Sequence, residues 1–154
     1  MSVKIASIRP ATPDDEAFVL SLAARFAETR PRWRTADEVE AGTARVLSGV
    51  LRTLSPDDAL FVAEDSGEPV GFVYVYAERD FFTGEAHAHI SEIAVSADGT
   101  GAGRALMAAA EEWAYRRGYR YVSLHVSAPN ERAKAFYERL GYDLEWSRLN
   151  KRLQ

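Results

Sequence analysis

The chain has no cysteine among its 154 residues. This absence excludes disulfide bonds, thiolate metal sites and a covalent intermediate on a cysteine thiol. The chain also has no excess of basic residues, because its formal net charge is −4 and its pI is about 5.4. A nucleic-acid-binding surface is therefore not expected.

Long apolar runs are absent as well, and none approaches the length of a membrane span. The first residues, MSVKIASI, are too few and too mixed for a signal peptide. We therefore expect a cytoplasmic protein without membrane association. Apolar residues make up 47% of the chain and occur throughout it, which indicates one domain over residues 1–154. A homodimer is compatible with this composition.

An apolar strand followed by alternating glycines is the most informative feature that is present. Residues 91–106 read SEIAVSADGTGAGRAL, with glycine at 99, 101 and 103. Glycine permits tight turns, and the start of the following helix offers free amide groups at a positive dipole end. This pattern predicts a phosphate or pyrophosphate site. It is not a P-loop, because Arg104-Ala105 follows the last glycine, nor a dinucleotide fingerprint, because Leu106 stands at the third glycine position.

A second motif lies downstream, in the segment PNERAKAFYERLGY at 129–142. It places Asn130 and Ala133 before Phe136-Tyr137, and it ends in Gly141-Tyr142. In this order the two motifs closely resemble the GNAT superfamily of N-acetyltransferases over residues 88–142. The resemblance implies an α/β fold with a mixed, mostly antiparallel central sheet of six or seven strands, flanked by about four helices.

The resemblance also implies which residues contact acetyl-CoA. The glycine loop would bind the pyrophosphate, the backbone of residues 93–95 would pair with the pantetheine amides, and the helix after Asn130 would line the thioester end. Asn130 is equally a good helix N-cap, and the two roles are compatible. The implied contacts are Ile93, Ala94, Val95, Gly99, Gly101, Ala102, Gly103, Arg104, Asn130, Ala133 and Tyr137.

Two side chains are candidates for the chemistry. By resemblance, Tyr137 protonates the departing thiolate or hydrogen-bonds its sulfur, although its helix position also suits a core tyrosine. Glu92 stands inside an apolar strand, where burial would raise its pKa and suit it to deprotonate an amine. A structural Glu92 that is ion-paired or exposed at the strand edge is the alternative.

The motif departs from the family pattern at Asp98. Members usually carry Arg or Gln there, and a carboxylate would repel a pyrophosphate. We therefore expect Asp98 to point away or cap the turn, with Arg104 supplying positive charge.

The acceptor end is less specific in the sequence. His87 and His89 share one strand face that could hold a metal, but a surface or acceptor-pocket role is favoured, and no metal is predicted. Trp33 lies among arginines, which suits either an acidic acceptor or a solvated loop. The aromatic residues Tyr74, Tyr76, Phe81 and Phe82, with nearby acidic residues, would instead suit a cationic amine.

Local patterns predict the order β-α-α-β-β-β-α-β-α-β-β. The first strand is expected at 4–10, a helix after Thr12, a second helix from the capping box at Thr35 to about Thr53, and strands at 59–64, 70–77 and 86–96. A helix at 104–117, a strand at 121–127 and the Asn130 helix follow. A hairpin of 142–145 with 147–153 is expected to close the sheet.

These observations predict an acetyl-CoA-dependent N-acetyltransferase that moves the acetyl group directly to a primary amine, with a small-molecule acceptor favoured. A catalytically silent acyl-CoA-binding module and a protein N-acetyltransferase are the alternatives.

Overall fold

A computed structural model describes residues 6–154 of the chain. In chain order the elements are β1 (Ser7–Pro10), a 3₁₀ helix (Pro13–Asp15), α1 (Glu16–Ser21), α2 (Ala23–Glu28), α3 (Ala36–Arg52), β2 (Asp58–Asp65), β3 (Glu68–Arg79), β4 (Ala86–Val95), α4 (Ala102–Arg116), β5 (Val122–Leu124) and α5 (Glu131–Arg139). None of these helices combines the length and apolar character that crossing a membrane requires.

The strands form one five-stranded sheet in the order β1-β2-β3-β4-β5. Neighbouring strands from β1 to β4 are antiparallel, and β5 joins β4 in parallel. The predicted mixed, mostly antiparallel sheet is therefore confirmed, with five strands in the described part of the chain instead of six or seven.

Helices cover both faces of the sheet. On one face, Phe72 and Tyr74 of β3 pack with Leu22, which links α1 to α2, and with Leu47 and Leu51 of α3. On the other face, their neighbours along β3, Val73 and Val75, pack with Leu106, Met107 and Ala110 of α4. The alternation of side chains along a strand thus supplies both cores from the same residues.

The helix N-termini follow the sequence signals closely. Thr35 accepts a hydrogen bond from the Glu38 amide at 3.1 Å, and the Glu38 carboxylate accepts one from the Thr35 amide at 2.9 Å. This is the predicted capping box. The helix after Thr12 differs from the prediction because it begins as a 3₁₀ turn and divides into α1 and α2 at Leu22.

The predicted C-terminal hairpin is wrong, because residues 142–154 contain no strand. The alternation of Leu144 and Trp146 suits a strand, but a strand also needs a partner edge. Leu144 is 83% exposed and Trp146 is 67% exposed, with the Trp146 ring stacked on Phe82 at 5.8 Å. The start of the first predicted strand, Lys4 and Ile5, lies outside the described residues.

A close approach at Gly71 gives a test of the packing between β3 and α4. A methyl group at Gly71 would lie 2.9 Å from the Ala94 carbonyl oxygen and 3.0 Å from Leu106. We expect Gly71→Ala to lower the free energy of unfolding by about 1–3 kcal/mol. Gly49→Ala is the control, because nothing lies within 4 Å of the added group. In α3 it should instead stabilise by about 0.5–1 kcal/mol. Urea denaturation measures both, and an unchanged midpoint for Gly71→Ala would contradict the packing.

Candidate active site

The sheet opens between β4 and β5. The two strands pair only through residues 88–90 and 122–124, whereas β4 continues to Val95. The pairing of β4 with β3 also shifts at this point, because Tyr74 lies opposite Glu92 and Val75 opposite Ile90, which leaves Ser91 as a bulge. The predicted pantetheine-binding residues Ile93, Ala94 and Val95 therefore follow the bulge on an edge of β4 that has no strand partner among the described residues.

The glycine loop connects this open strand to α4. Gly99 has φ +76° and Gly101 has φ +81°, so both use the left-handed region that favours glycine. Gly103 differs, because it lies in the first turn of α4 without a positive φ, and a methyl group there would meet Phe136 at 3.6 Å. Gly103 therefore lies in ordinary helical backbone, unlike Gly99 and Gly101.

The first turn of α4 offers free backbone amides. The first backbone hydrogen bond into the helix runs from the Ala105 amide to the Gly101 carbonyl at 3.1 Å, and the Ala102 amide contacts the Thr100 hydroxyl at 3.4 Å. The amides of Gly103 and Arg104 make no hydrogen bond within the described residues. Arg104 is exposed and no acidic residue lies in this turn, so the helix end is suited to an anion.

Asp98 is held by two arginines. Its carboxylate accepts a hydrogen bond from Arg132 of α5 at 2.7 Å and lies 3.6 Å from Arg25 of α2. Arg25 also donates to the Ser96 carbonyl at 3.0 Å. The carboxylate therefore brings two cations to the glycine loop, and it is ion-paired instead of capping the turn.

This ion-paired cluster gives a prediction for Asp98→Asn. Removing the charge leaves Arg25 and Arg132 without their anion, which should strengthen acetyl-CoA binding by at most about 1 kcal/mol because the site is partly exposed. The gain should shrink at high salt. Calorimetric titration at two ionic strengths measures it. Asp57→Asn is the control, because Asp57 pairs with Arg117 at 2.7 Å near the opposite end of α4. Weaker binding of acetyl-CoA to Asp98→Asn would contradict this prediction. It would show that Asp98 favours binding by positioning the two arginines more than it opposes binding by repelling the pyrophosphate.

The predicted N-cap at Asn130 is confirmed. Its side-chain oxygen accepts a hydrogen bond from the Ala133 amide at 3.1 Å, and its side-chain nitrogen donates to Thr29 at 3.3 Å. The second contact ties the start of α5 to the end of α2. Asn130 thus fixes the position of the helix that carries Tyr137.

Tyr137 packs on the α4 face of the sheet. Its ring contacts Phe136 at 5.4 Å and Tyr142 at 6.0 Å, measured between centroids. Burial raises the pKa of Tyr137 to about 12, so the hydroxyl stays protonated at neutral pH. Within residues 6–154 this hydroxyl makes no hydrogen bond, which leaves it available to a ligand atom.

Glu92 lies on the opposite face, beside Tyr74 and Ala94. Its Oε2 is buried and has no hydrogen-bond partner among the described residues. Burial raises the pKa of Glu92, as the sequence suggested. The alternative of an ion-paired Glu92 has no support there, because no described cation lies within salt-bridge distance of its carboxylate.

Two histidines of β4 lie on the same face of the sheet as Glu92. His87 and His89 alternate with the buried residues Ala88 and Ile90, and both histidines contact the Ser123 hydroxyl of β5. No group of three or more His, Cys, Asp or Glu side chains in residues 6–154 is arranged to hold a metal ion. Sequence reasoning missed Ser123 because its neighbours come from distant strands.

The other acceptor candidates are less buried. Trp33 is 43% exposed, with the Arg34 guanidinium 4.1 Å above its ring. Phe81 and Phe82 are exposed in the turn between β3 and β4. Of the predicted aromatic residues, Tyr74 and Tyr76 are the two that lie on the same face of the sheet as Glu92. The ring of Tyr76 contacts that of His89 at 5.4 Å between centroids.

Comparison with known families identifies the class of protein. The model of the acetyltransferase (GNAT) family matches residues 22–142. The chain therefore belongs to the GNAT family. An uncharacterized N-acetyltransferase of Methanocaldococcus jannaschii is 38% identical over 107 residues, which is 63% of this chain and 46% of the relative. A mycothiol acetyltransferase of Amycolatopsis mediterranei is 34% identical over 91 residues. The matched segment is 56% of this chain and 30% of the relative.

Other relatives have a similar length. An uncharacterized N-acetyltransferase of Bacillus subtilis is 26% identical over 139 residues, which is 89% of this chain and 89% of the relative. A putative acetyl transferase from Pyrococcus furiosus has a TM-score of 0.77 at 26% identity, covering 96% of this chain and 99% of that chain. An aminoglycoside N-acetyltransferase in complex with CoA shares the fold, with a TM-score of 0.73 at 18% identity over 96% of this chain and 93% of that chain.

Proposed function

We propose that this chain is an acetyl-CoA-dependent N-acetyltransferase that acts on a primary amine, with a small molecule as the favoured acceptor. One observation carries the proposal: the edge of β4 that has no strand partner among the described residues leads directly into a helix N-terminus with free backbone amides. An extended pantetheine arm can pair with residues 93–95 as a strand would, while the pyrophosphate meets the amides of Gly103 and Arg104. The CoA complex of the aminoglycoside N-acetyltransferase, which has the same fold, supports this assignment.

The acetyl group is transferred by direct attack of the amine on the thioester. The chain contains no cysteine, so a thioester intermediate on the enzyme has no residue to form on. Direct attack requires both substrates in one complex. Double-reciprocal plots of initial rate against one substrate, measured at several fixed concentrations of the other, should therefore give intersecting lines.

Tyr137 stabilises the departing thiolate by a hydrogen bond to sulfur. Its pKa of about 12 lies above the ordinary thiol value of about 8.5, so full proton transfer would cost about 5 kcal/mol. A hydrogen bond from the phenol stabilises the developing charge without that cost. Glu92 lies on the other face of the sheet and acts across the opening between β4 and β5. There it removes the proton from the acceptor ammonium.

Thiol release measures this function directly. The purified chain is incubated with acetyl-CoA and separate panels of polyamines, aminoglycosides, amino acids and peptides. Release of free thiol is followed, and the mass of the acceptor is then measured by mass spectrometry. We expect thiol release that depends on one amine class and an acceptor heavier by one acetyl group. Transfer only to peptides would indicate a protein N-acetyltransferase. Tight acetyl-CoA binding without any transfer would indicate a silent acyl-CoA-binding module.

A further inference from the structure

Polar side chains from β3, β4 and β5 form a cluster on the face of the sheet that carries Glu92. His87 is 5% exposed and His89 is 4% exposed. The Ser123 hydroxyl lies 2.8 Å from His89 Nδ1 and 3.0 Å from His87 Nε2. His87 Nε2 also lies 3.1 Å from Glu78 Oε2. His89 Nδ1 also lies 3.5 Å from the same Glu78 oxygen. The four residues therefore form one connected cluster, in which His89 reaches Glu78 either through Ser123 and His87 or directly.

The two ends of this path differ in exposure. The Glu78 side chain is 40% exposed, whereas both histidine side chains are 6% exposed. His87 makes its polar contacts through Nε2 alone, because its Nδ1 is buried without a partner among the described residues. One nitrogen thus faces both Ser123 and Glu78, and it can accept a proton from one and pass it to the other without ring rotation.

Other titratable groups surround the path. His125 lies 4.8 Å from the His89 ring and Tyr121 stacks on His87 at 4.4 Å. Asp58, Tyr74, Tyr76 and Glu92 lie on the same face of β2, β3 and β4. Burial is the main cause that lowers the pKa of His89, so its ring is neutral at neutral pH and can take up a proton and release it.

The proposed reaction produces a proton that must leave the site. An ammonium acceptor and acetyl-CoA give an acetamide, a free thiol and one proton. Glu92 can take that proton, but its Oε2 atom is buried, and the carboxyl group must be deprotonated again before the next turnover. The site therefore needs a path from the cleft to solvent.

We propose that His89, Ser123, His87 and Glu78 form the proton-exit path of this enzyme, an inference that rests on the proposed function. The proton from Glu92 reaches His89 Nε2 through water in the cleft. His89 passes its Nδ1 proton to Ser123, whose hydroxyl proton moves to His87 Nε2. His87 passes a proton to Glu78, which releases it to solvent. One proton enters and one leaves, and His89 changes from the Nδ1–H to the Nε2–H tautomer. His89 must return to the Nδ1–H tautomer before it transfers the next proton.

Glu78→Gln tests the path at its exit, because the route through Ser123 and the direct contact of His89 both end at Glu78. In dilute buffer we expect kcat to fall roughly tenfold, as for the loss of a proton-transfer group, while the KM for acetyl-CoA stays unchanged. Added imidazole should restore kcat, because a mobile buffer can carry the proton instead. Ser123→Ala should show a smaller loss with the same rescue, because His89 Nδ1 still lies 3.5 Å from Glu78.

Ser48→Ala is the matched control, since Ser48 hydrogen-bonds Glu16 at 2.9 Å between α3 and α1. It should match the wild type with and without imidazole. An unchanged kcat for Glu78→Gln, or a loss that imidazole does not restore, would overturn the path while leaving the acetyltransferase activity established. A wild type that releases no thiol with any amine would overturn the proposed function, and the path with it.

Discussion

Replacing Tyr137 with phenylalanine is expected to lower kcat by about 10²-fold and to leave acetyl-CoA affinity nearly unchanged. The substitution keeps the ring that packs against Phe136 and Tyr142 and removes only the hydroxyl. Because the pKa of Tyr137 is about 12, the hydroxyl is protonated throughout the neutral and mildly alkaline range. The loss should therefore be the same at every pH in that range.

Tyr142→Phe is the matched control for this prediction. It removes a neighbouring phenol that hydrogen-bonds Glu111 at 2.9 Å. Its kcat should equal that of the wild type. Full activity of Tyr137→Phe would return Tyr137 to a packing role and leave the thiolate to be protonated by solvent.

Glu92→Gln is expected to lower activity by about 10²-fold at neutral pH, with a loss that shrinks as pH rises. In the wild type, kcat/KM should fall at low pH through the raised pKa of Glu92 and reach a plateau above it. The variant has no base, so its rate should follow the fraction of uncharged amine. That fraction increases tenfold per pH unit up to the amine pKa near 10. A pH–rate profile of both proteins measures the difference.

Stability separates this role from a structural one. Because the pKa of Glu92 is raised in the folded state, the native protein binds more protons than the unfolded chain, and ionised Glu92 lowers stability at neutral pH. Glu92→Gln should therefore unfold at the same or a higher temperature than the wild type at pH 7. A lower unfolding temperature with a pH-independent loss of activity would indicate that Glu92 is structural.

The sequence predicts this fold best where the signal is local. The capping box at Thr35, the N-cap at Asn130 and the glycine loop each depend on residues within a few positions of one another, and all three are formed. The C-terminal hairpin failed because its alternation of apolar residues describes a strand but does not supply a partner edge.

The site is harder to predict where its parts come from distant strands. Arg25 and Arg132 meet at Asp98, and Ser123 of β5 meets His87 and His89 of β4, through contacts that no local pattern encodes. Gly71 is a similar case, since its need for glycine arises from the approach of Ala94 and Leu106. These features depend on strand register and helix packing, which are set by the whole fold.

Calorimetric titration of acetyl-CoA into Gly101→Val tests the central claim most directly. Gly101 has φ +81° with open space around it, so valine strains the loop and places a side chain where the phosphates would lie. Gly67→Val is the matched control, because Gly67 has φ +85° and equally open space in the hairpin between β2 and β3. We expect wild-type affinity in the folded Gly67→Val protein and a loss of tenfold or more in folded Gly101→Val, equivalent to at least about 1.4 kcal/mol. Equal affinities in both folded variants would contradict binding of acetyl-CoA at the glycine loop.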